Sequence, residues 1–243
     1  MSKAPDVILR KHTRREFRER MNAGELKACI IPLAAIEQHL EHLAMEHDWR
    51  SVTHVAAAVA EQLRPNVIVT EGMMAGVSEH HMKHPGTVTL RVGSFLSALE
   101  DIIDSMVRAG FGTILVLNGH GGNVVPCESN WDQLLRRFQV NLQFMSYWDV
   151  LTVEDAKELL KSGSKLPVNM PGHAQEFETS IAMHLFPKNV RMDALADQPD
   201  PTPAMSAAET GGAFVNRIVE RVAAKLKEMI DGKNIAVIPP FHP

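Results

Sequence analysis

Carboxylates and imidazoles recur at short spacing in three stretches of this chain: Glu37-Gln-His39 running on to Glu46-His47-Asp48, Asn118-Gly-His120-Gly-Gly-Asn123, and His173-Ala-Gln-Glu176-Phe-Glu178-Thr-Ser180. These side chains are the ligands that borderline divalent ions such as zinc and manganese take, and they are common general acids and bases. In an extended chain the i, i+2 spacing of Glu37 and His39 puts both on one side. The second stretch is an apolar run ending in a glycine-rich turn. Gly119, Gly121 and Gly122 free its backbone and present His120; no Lys-Ser/Thr follows, as a P-loop needs. In the third, Glu176 and Glu178 point about 200° apart on a regular helix, and share a side only if the helix starts later, at Thr179 or Ser180. Each stretch alone also reads plainly as a solvated loop, a tight turn with polar filler, or an acidic first turn favoured by the helix dipole. Together they supply ligands in the proportion a two-metal hydrolytic site needs.

The elements that must position these residues alternate along the chain. Apolar runs predict strands at Ala28 to Leu33, Val67 to Thr70, Thr113 to Leu117, Leu142 to Tyr147 and Ile235 to Ile238. Amphipathic stretches predict helices at Val52 to Leu63, Ser94 to Ala109, Val124 to Arg137, Val153 to Lys161, Thr179 to Leu185 and Ala207 to Ile230. From Ser94 to Ala109, Phe95, Leu99, Ile102, Ile103 and Met106 recur at three- and four-residue steps, the spacing of one buried face. Such alternation is that of an α/β domain with a mostly parallel sheet, in which functional residues gather after the carboxyl ends of strands. The Pro/Gly-marked segment from Ser162 to Gly172 predicts a loop, and Asp197 to Thr210, with its three prolines, a surface excursion.

At 243 residues the chain suits one domain, 1–243, able to bury a core without staples. A net charge of -4 with no Lys/Arg-rich run argues against nucleic acid as a partner. Cys29 and Cys127 are too few and too far apart for a disulfide framework, which points to a reducing compartment. The charged N-terminus and the lack of a long apolar run predict a cytoplasmic protein with no membrane span. Seven of the twelve histidines fall in two windows, His39, His42, His47 and His54, then His80, His81 and His84. Glu79, His80 and His81 are further candidates for a substrate pocket, within the chain or from a neighbouring subunit.

These motifs, with His84-Pro-Gly-Thr87 and Leu90, resemble in order those of the creatininase (creatinine amidohydrolase) family, from about residue 28 to 187. The resemblance implies a three-layer α/β/α fold around a mainly parallel sheet, a binuclear divalent-metal centre and a hexamer. It makes Glu37 and His120 ligands of one metal, His39 a ligand of the other, and Asp48 the bridging carboxylate. Creatininase itself has a metal-binding glutamate two residues after the glycine-turn histidine, where this chain has Gly122. Members with the Gly-Gly form carry a glutamate three residues after the later histidine, so the resemblance assigns Glu176 to the second metal. It leaves His173 and Glu178 as the catalytic pair. Asn169 replaces a substrate-covering tryptophan, which argues against creatinine as substrate. Glu46-His47 replaces the usual Gly-Thr before the bridging aspartate, and Leu40-Glu41-His42-Leu43-Ala44 replaces Gly-Pro-His-Leu-Pro.

The expected ions are two Zn2+ or Mn2+, with Fe2+ or Mg2+ as alternatives, about 3.5–4 Å apart and activating a bridging water. His173 would carry the proton to the leaving atom and Glu178 would orient it. A cyclic or formyl amide in a small molecule is the first substrate class, and ring opening of an oxidised cyclic polyol by C–C hydrolysis the second. A reading from another class is a metal-stabilised binding assembly without turnover.

Overall fold

A computed structural model describes residues 6–162 and 172–241. The apolar runs become strands β1 (Ala28–Leu33), β2 (Val67–Val69), β3 (Thr113–Asn118) and β4 (Asn141–Ser146). They form one parallel sheet in the order β2-β1-β3-β4. Between and after them run helices α1 (Arg14–Asn22), α2 (His47–Gln62), α3 (Val92–Arg108), α4 (Val124–Phe138), α5 (Val153–Leu159), α6 (Glu176–Leu185) and α7 (Ala208–Ile230).

All six residues of β1 are buried, as a strand covered on both faces requires. Its alternate side chains feed two cores. Ala28 and Ile30 pack with Leu115 and Leu117 of β3 under α2, α5, α6 and α7. Cys29, Ile31 and Leu33 pack with Ile114 and Val116 under α3 and α4. The result is the expected three-layer α/β/α arrangement. From β1 the chain crosses to β2 on one side, then returns to β3 on the other, so the carboxyl ends of β1 and β3 flank the switch point where open α/β sheets bind their ligands.

Four differences from the sequence reading have physical causes. Helix α1, not anticipated, is mostly charged; only Phe17 and Met21 reach the core, and a Thr13/Glu16 capping box starts it. No strand forms at 235–238 among the described residues. Asn141 binds that segment instead, accepting from the Ala236 amide at 2.9 Å and donating to Asn234 O at 2.9 Å, so side-chain bonds replace a ladder. Helix α2 begins at His47 rather than Val52, which places Asp48 in its first turn. Helix α6 begins at Glu176 rather than Thr179. The 197–210 excursion is also anchored: Gln198 donates to His42 Nδ1 at 3.0 Å and Asp200 accepts from Gln175 at 2.6 Å. The predicted loop from Ser162 to Gly172, including Asn169, lies almost wholly outside the described residues.

Candidate metal centre

Two asparagines knit the strand ends together. The Asn118 side chain accepts from the His120 amide at 3.1 Å and donates to His120 O at 2.7 Å, closing the turn after β3. Asn123 donates to Ala34 O at 3.1 Å and accepts from the Val77 amide at 2.9 Å, tying the loops after β1 and β2 to that turn. Gly119 lets α2 approach, since a Cβ there would lie 2.9 Å from Asp48 O and 2.8 Å from Val52 Cβ. At Gly122 a Cβ would meet Val77 O at 2.1 Å. That position therefore has no room for a ligand-bearing side chain, and any further carboxylate must come from elsewhere.

The frame brings Glu37, His39, Asp48, His120, His173 and Glu178 together. Asp48, 2% exposed, spans two imidazoles: Oδ1 is 3.1 Å from His39 Nε2, and Oδ2 is 3.0 Å from His120 Nδ1. Glu37 Oε1 lies 3.3 Å from His120 Nδ1, and Glu178 Oε2 lies 3.9 Å from His39 Nε2. The far side of each ring is already committed. His39 Nδ1 faces Glu37 O at 3.1 Å and His120 Nε2 faces Val77 O at 3.0 Å. Donation to those carbonyls leaves each inward nitrogen to take up a proton or a cation, the posture of metal-binding histidines oriented by backbone acceptors. Ser78 donates to Glu37 Oε2, and the Ala174 amide to Glu178 Oε2 at 2.5 Å.

The charges respond to this crowding. Burial would lower His39 and His120, but Asp48, joined by Glu178 for the first and Glu37 for the second, raises them to about 9 and about 10. Against the effect of burial, the two imidazoles hold Asp48 well below the usual carboxylate range. Glu37 is lowered too, chiefly by His120 against burial. Burial and the neighbouring carboxylates push Glu178 up to about 8. Burial and His39 hold His173 down to about 4.

Glu178, not the expected Glu176, is the α6 carboxylate that the structure places beside the imidazoles, a correction that follows from where α6 starts. Because the helix is regular from Glu176 on, the two side chains diverge. Glu176 turns to the end of α5, accepting the amides of Lys161 and Ser162 at 2.9 and 2.8 Å. Among the described residues, three groups of donor atoms lie within 4.8 Å of one another: His39, His47, Asp48 and Glu178; Glu37, His39 and His173; and Glu37, His80 and His120. Glu176 belongs to none of them. The buried atoms His39 Nε2 and Asp48 Oδ2 lack a hydrogen-bond partner, so a nitrogen and oxygen donor set converges where a divalent cation fits.

Glu37, Asp48, His120, His173 and Glu178 line a cavity of about 460 Å³. His80 and His81 line it too, from the same chain, while Glu79 is exposed and forms no part of its wall. His80 stacks on His120 with centroids 5.8 Å apart, and His81 on His173 at 4.4 Å. Sequence reasoning missed the role of Gln38. Its Oε1 accepts from the Leu40 amide at 3.0 Å, which orients the amide so that Nε2 faces His81 Nδ1 and His173 Nε2, each at 2.8 Å. Its place between two candidate ligands was the available signal. His47, which replaces the usual threonine of the resembled motif, is not solvated but 1% exposed on the first turn of α2; an earlier start to α2 would have revealed it. His84 is exposed and joins no group.

A family model described as Creatininase: Creatinine amidohydrolase matches residues 10–225. The creatinine amidohydrolase of Pseudomonas putida is 28% identical over 213 residues, covering 83% of this chain and 80% of the relative. The 3-dehydro-scyllo-inosose hydrolase of Thermotoga maritima is 28% identical over 200 residues, covering 81% of this chain and 62% of the relative. Among solved structures, a mutant creatininase of Zn-Zn type superposes with a TM-score of 0.80 at 25% identity, covering 93% of this chain and 98% of that one.

Proposed function

Since the chain belongs to the creatininase family, we propose that its hydrolase site holds two divalent ions, one on Glu37 and His120, the other on His39 and Glu178, with Asp48 between them. The observation that carries this reading is the pair of inward-facing imidazole nitrogens 3.1 and 3.0 Å from the two Asp48 oxygens, with both outward nitrogens committed to backbone carbonyls. Each such contact needs positive charge between nitrogen and carboxylate, a proton in the metal-free protein and a cation in the loaded one. Zinc or manganese suits a mixed imidazole and carboxylate set, and the Zn-Zn type of a structural neighbour supports zinc. Such ions, when bound, supply Lewis acidity that acidifies water and polarises a carbonyl.

The chain's own groups do the rest. His173 is the proton carrier of this reading. Gln38 donates to Nε2, so the neutral ring carries its proton on Nδ1, 3.7 Å from Glu37 Oε1 and on the cavity wall. Because the ring is held down to about 4, it rests neutral; when Gln38 releases Nε2, that nitrogen takes the proton of the attacking water, and the imidazolium passes its Nδ1 proton to the leaving nitrogen. Glu178 moves in this scheme from proton handling to ion binding.

The substrate class we propose is a cyclic or formyl amide of a size that a cavity of about 460 Å³ admits. Ring-opening C–C hydrolysis of an oxidised cyclic polyol is the second reading, supported by the likeness to the inosose hydrolase. We also propose a cytoplasmic homohexamer, as the family resemblance implies. Among the described residues no helix is long and apolar enough to cross a membrane. Metal analysis of the purified protein, with turnover assays on lactams, formamides and cyclic diketones, tests the reading. Two ions per chain and hydrolysis of one class support it. Metal without turnover on the whole panel points to a binding assembly, and absence of metal overturns the metal centre itself.

A further inference from the structure

His47 stands on the first turn of α2, one residue before Asp48. Its ring is 1% exposed, lies with its centroid 5.0 Å from that of His39, and meets the edge of Phe186 at 5.7 Å. Nδ1 has no hydrogen-bond partner, and Nε2 has only the Ser51 hydroxyl at 3.5 Å. The other buried histidine of this region that faces no carboxylate, His42, has both nitrogens satisfied, by Thr179 at 2.8 Å and Gln198 at 3.0 Å. A buried imidazole left without partners costs free energy that a bound cation would return. One ring nitrogen of His47 falls within 4.8 Å of donor atoms from His39, Asp48 and Glu178, making four buried donors in one group.

The two candidate ion positions differ in access. His80, which completes the group with Glu37 and His120, is exposed, and all three line the cavity. In the other group Asp48 and Glu178 line the cavity from one side, while His39 and His47 form no part of its wall and close the group from behind. Closed four-donor sites characterise structural zinc, whereas catalytic sites keep a position open.

Building on the two-ion reading above, we propose that His47 is a metal ligand. With His39, Asp48 and Glu178 it closes a four-donor site that binds its ion more tightly than the open site on Glu37 and His120. The closed ion anchors the first turns of α2 and α6, and the open ion exchanges through the cavity.

The test titrates chelator-stripped protein with Co2+. In the wild type the first equivalent binds tightly with the intense visible absorption of four-coordinate cobalt, and the second binds more weakly. In His47→Thr the affinity of the first equivalent falls by about tenfold or more and its absorption weakens, while the second is unchanged. X-ray absorption on His80→Ala carrying one equivalent of Zn2+ counts the imidazoles where the open site offers His120 alone, and His80 is an exposed position: two support the proposal, one overturns it. Identical titrations of wild type and His47→Thr also overturn it, with the metal centre intact. A wild type that binds no Co2+ removes the metal centre and this proposal together.

Discussion

The ends of β1 and β3 and the first turn of α6 contribute to the same site by different means. At the strand ends the candidate ligands are placed chiefly by bonds of their own loops, His39 by Glu37 O and His120 by the closed Asn118 turn, with Val77 O of the loop after β2 fixing the His120 ring. Spacing along the chain suffices to aim them. On α6, two glutamates two residues apart are both about fully buried, yet one faces the imidazoles and the other caps the end of α5. There the start of the helix, not the spacing, selects the ligand. The difference teaches that an acidic string on a helix is ambiguous until its first residue is known.

Removing the shared carboxylate should have the largest effect. Asp48→Asn is expected to lower the affinity for both ions by more than the roughly 10- to 100-fold typical of losing a group that only orients a ligand, and to abolish turnover; metal content after dialysis measures it. The two glutamates sharpen the contrast next. Glu178→Gln should lose one ion per chain. Glu176→Gln should keep both ions and instead lower stability by ~1–3 kcal/mol, because it weakens two buried amide bonds to a charged acceptor. If Glu176→Gln lost metal and Glu178→Gln did not, the assignment from helix register would be reversed.

Protons and ions compete for the strand-end imidazoles. In the metal-free protein His39 and His120, raised to about 9 and about 10, hold protons at neutral pH, and so does Glu178, raised to about 8. Metal binding must release them, so affinity should fall as pH falls and stop rising only above about pH 10. Calorimetry near pH 7 in buffers of different ionisation heat should show net proton release. Without metal, the raised histidines stabilise the fold below their ordinary 6.5, and that contribution is lost as pH rises through about 9 to 10. Gly122→Ala, which forces a methyl onto Val77 O, should cost ~1–3 kcal/mol by thermal or urea unfolding. The smallest effect expected is that of Gln38→Ala. It should leave metal content unchanged and lower kcat by roughly tenfold, the low end of what an orienting partner contributes, by releasing His173.

Much of the fold was legible because the strands are short apolar runs bounded by turn residues, and four of the five expected became a parallel sheet. The fifth, at 235–238, failed because an apolar run marks burial or pairing only if a partner edge is free, and Asn141 and Gln143 occupy that edge with side-chain bonds. Helix α1 was illegible because two apolar residues in nine carry no clear period.

What the order of residues determined by itself is the set of donors near the switch point: Glu37 with His39 on one loop, and His120 in a glycine-rich turn. Backbone geometry and local hydrogen bonds decide those, and both are encoded within a few positions. Only the tertiary structure decided that Glu178 rather than Glu176 faces the imidazoles, that His47 is buried beside them, and that Gln38 holds two histidines at once. Each depends on contacts between segments far apart in the chain, where a shift of one residue in a helix start rotates a side chain by roughly 100° and moves it from one neighbour to another.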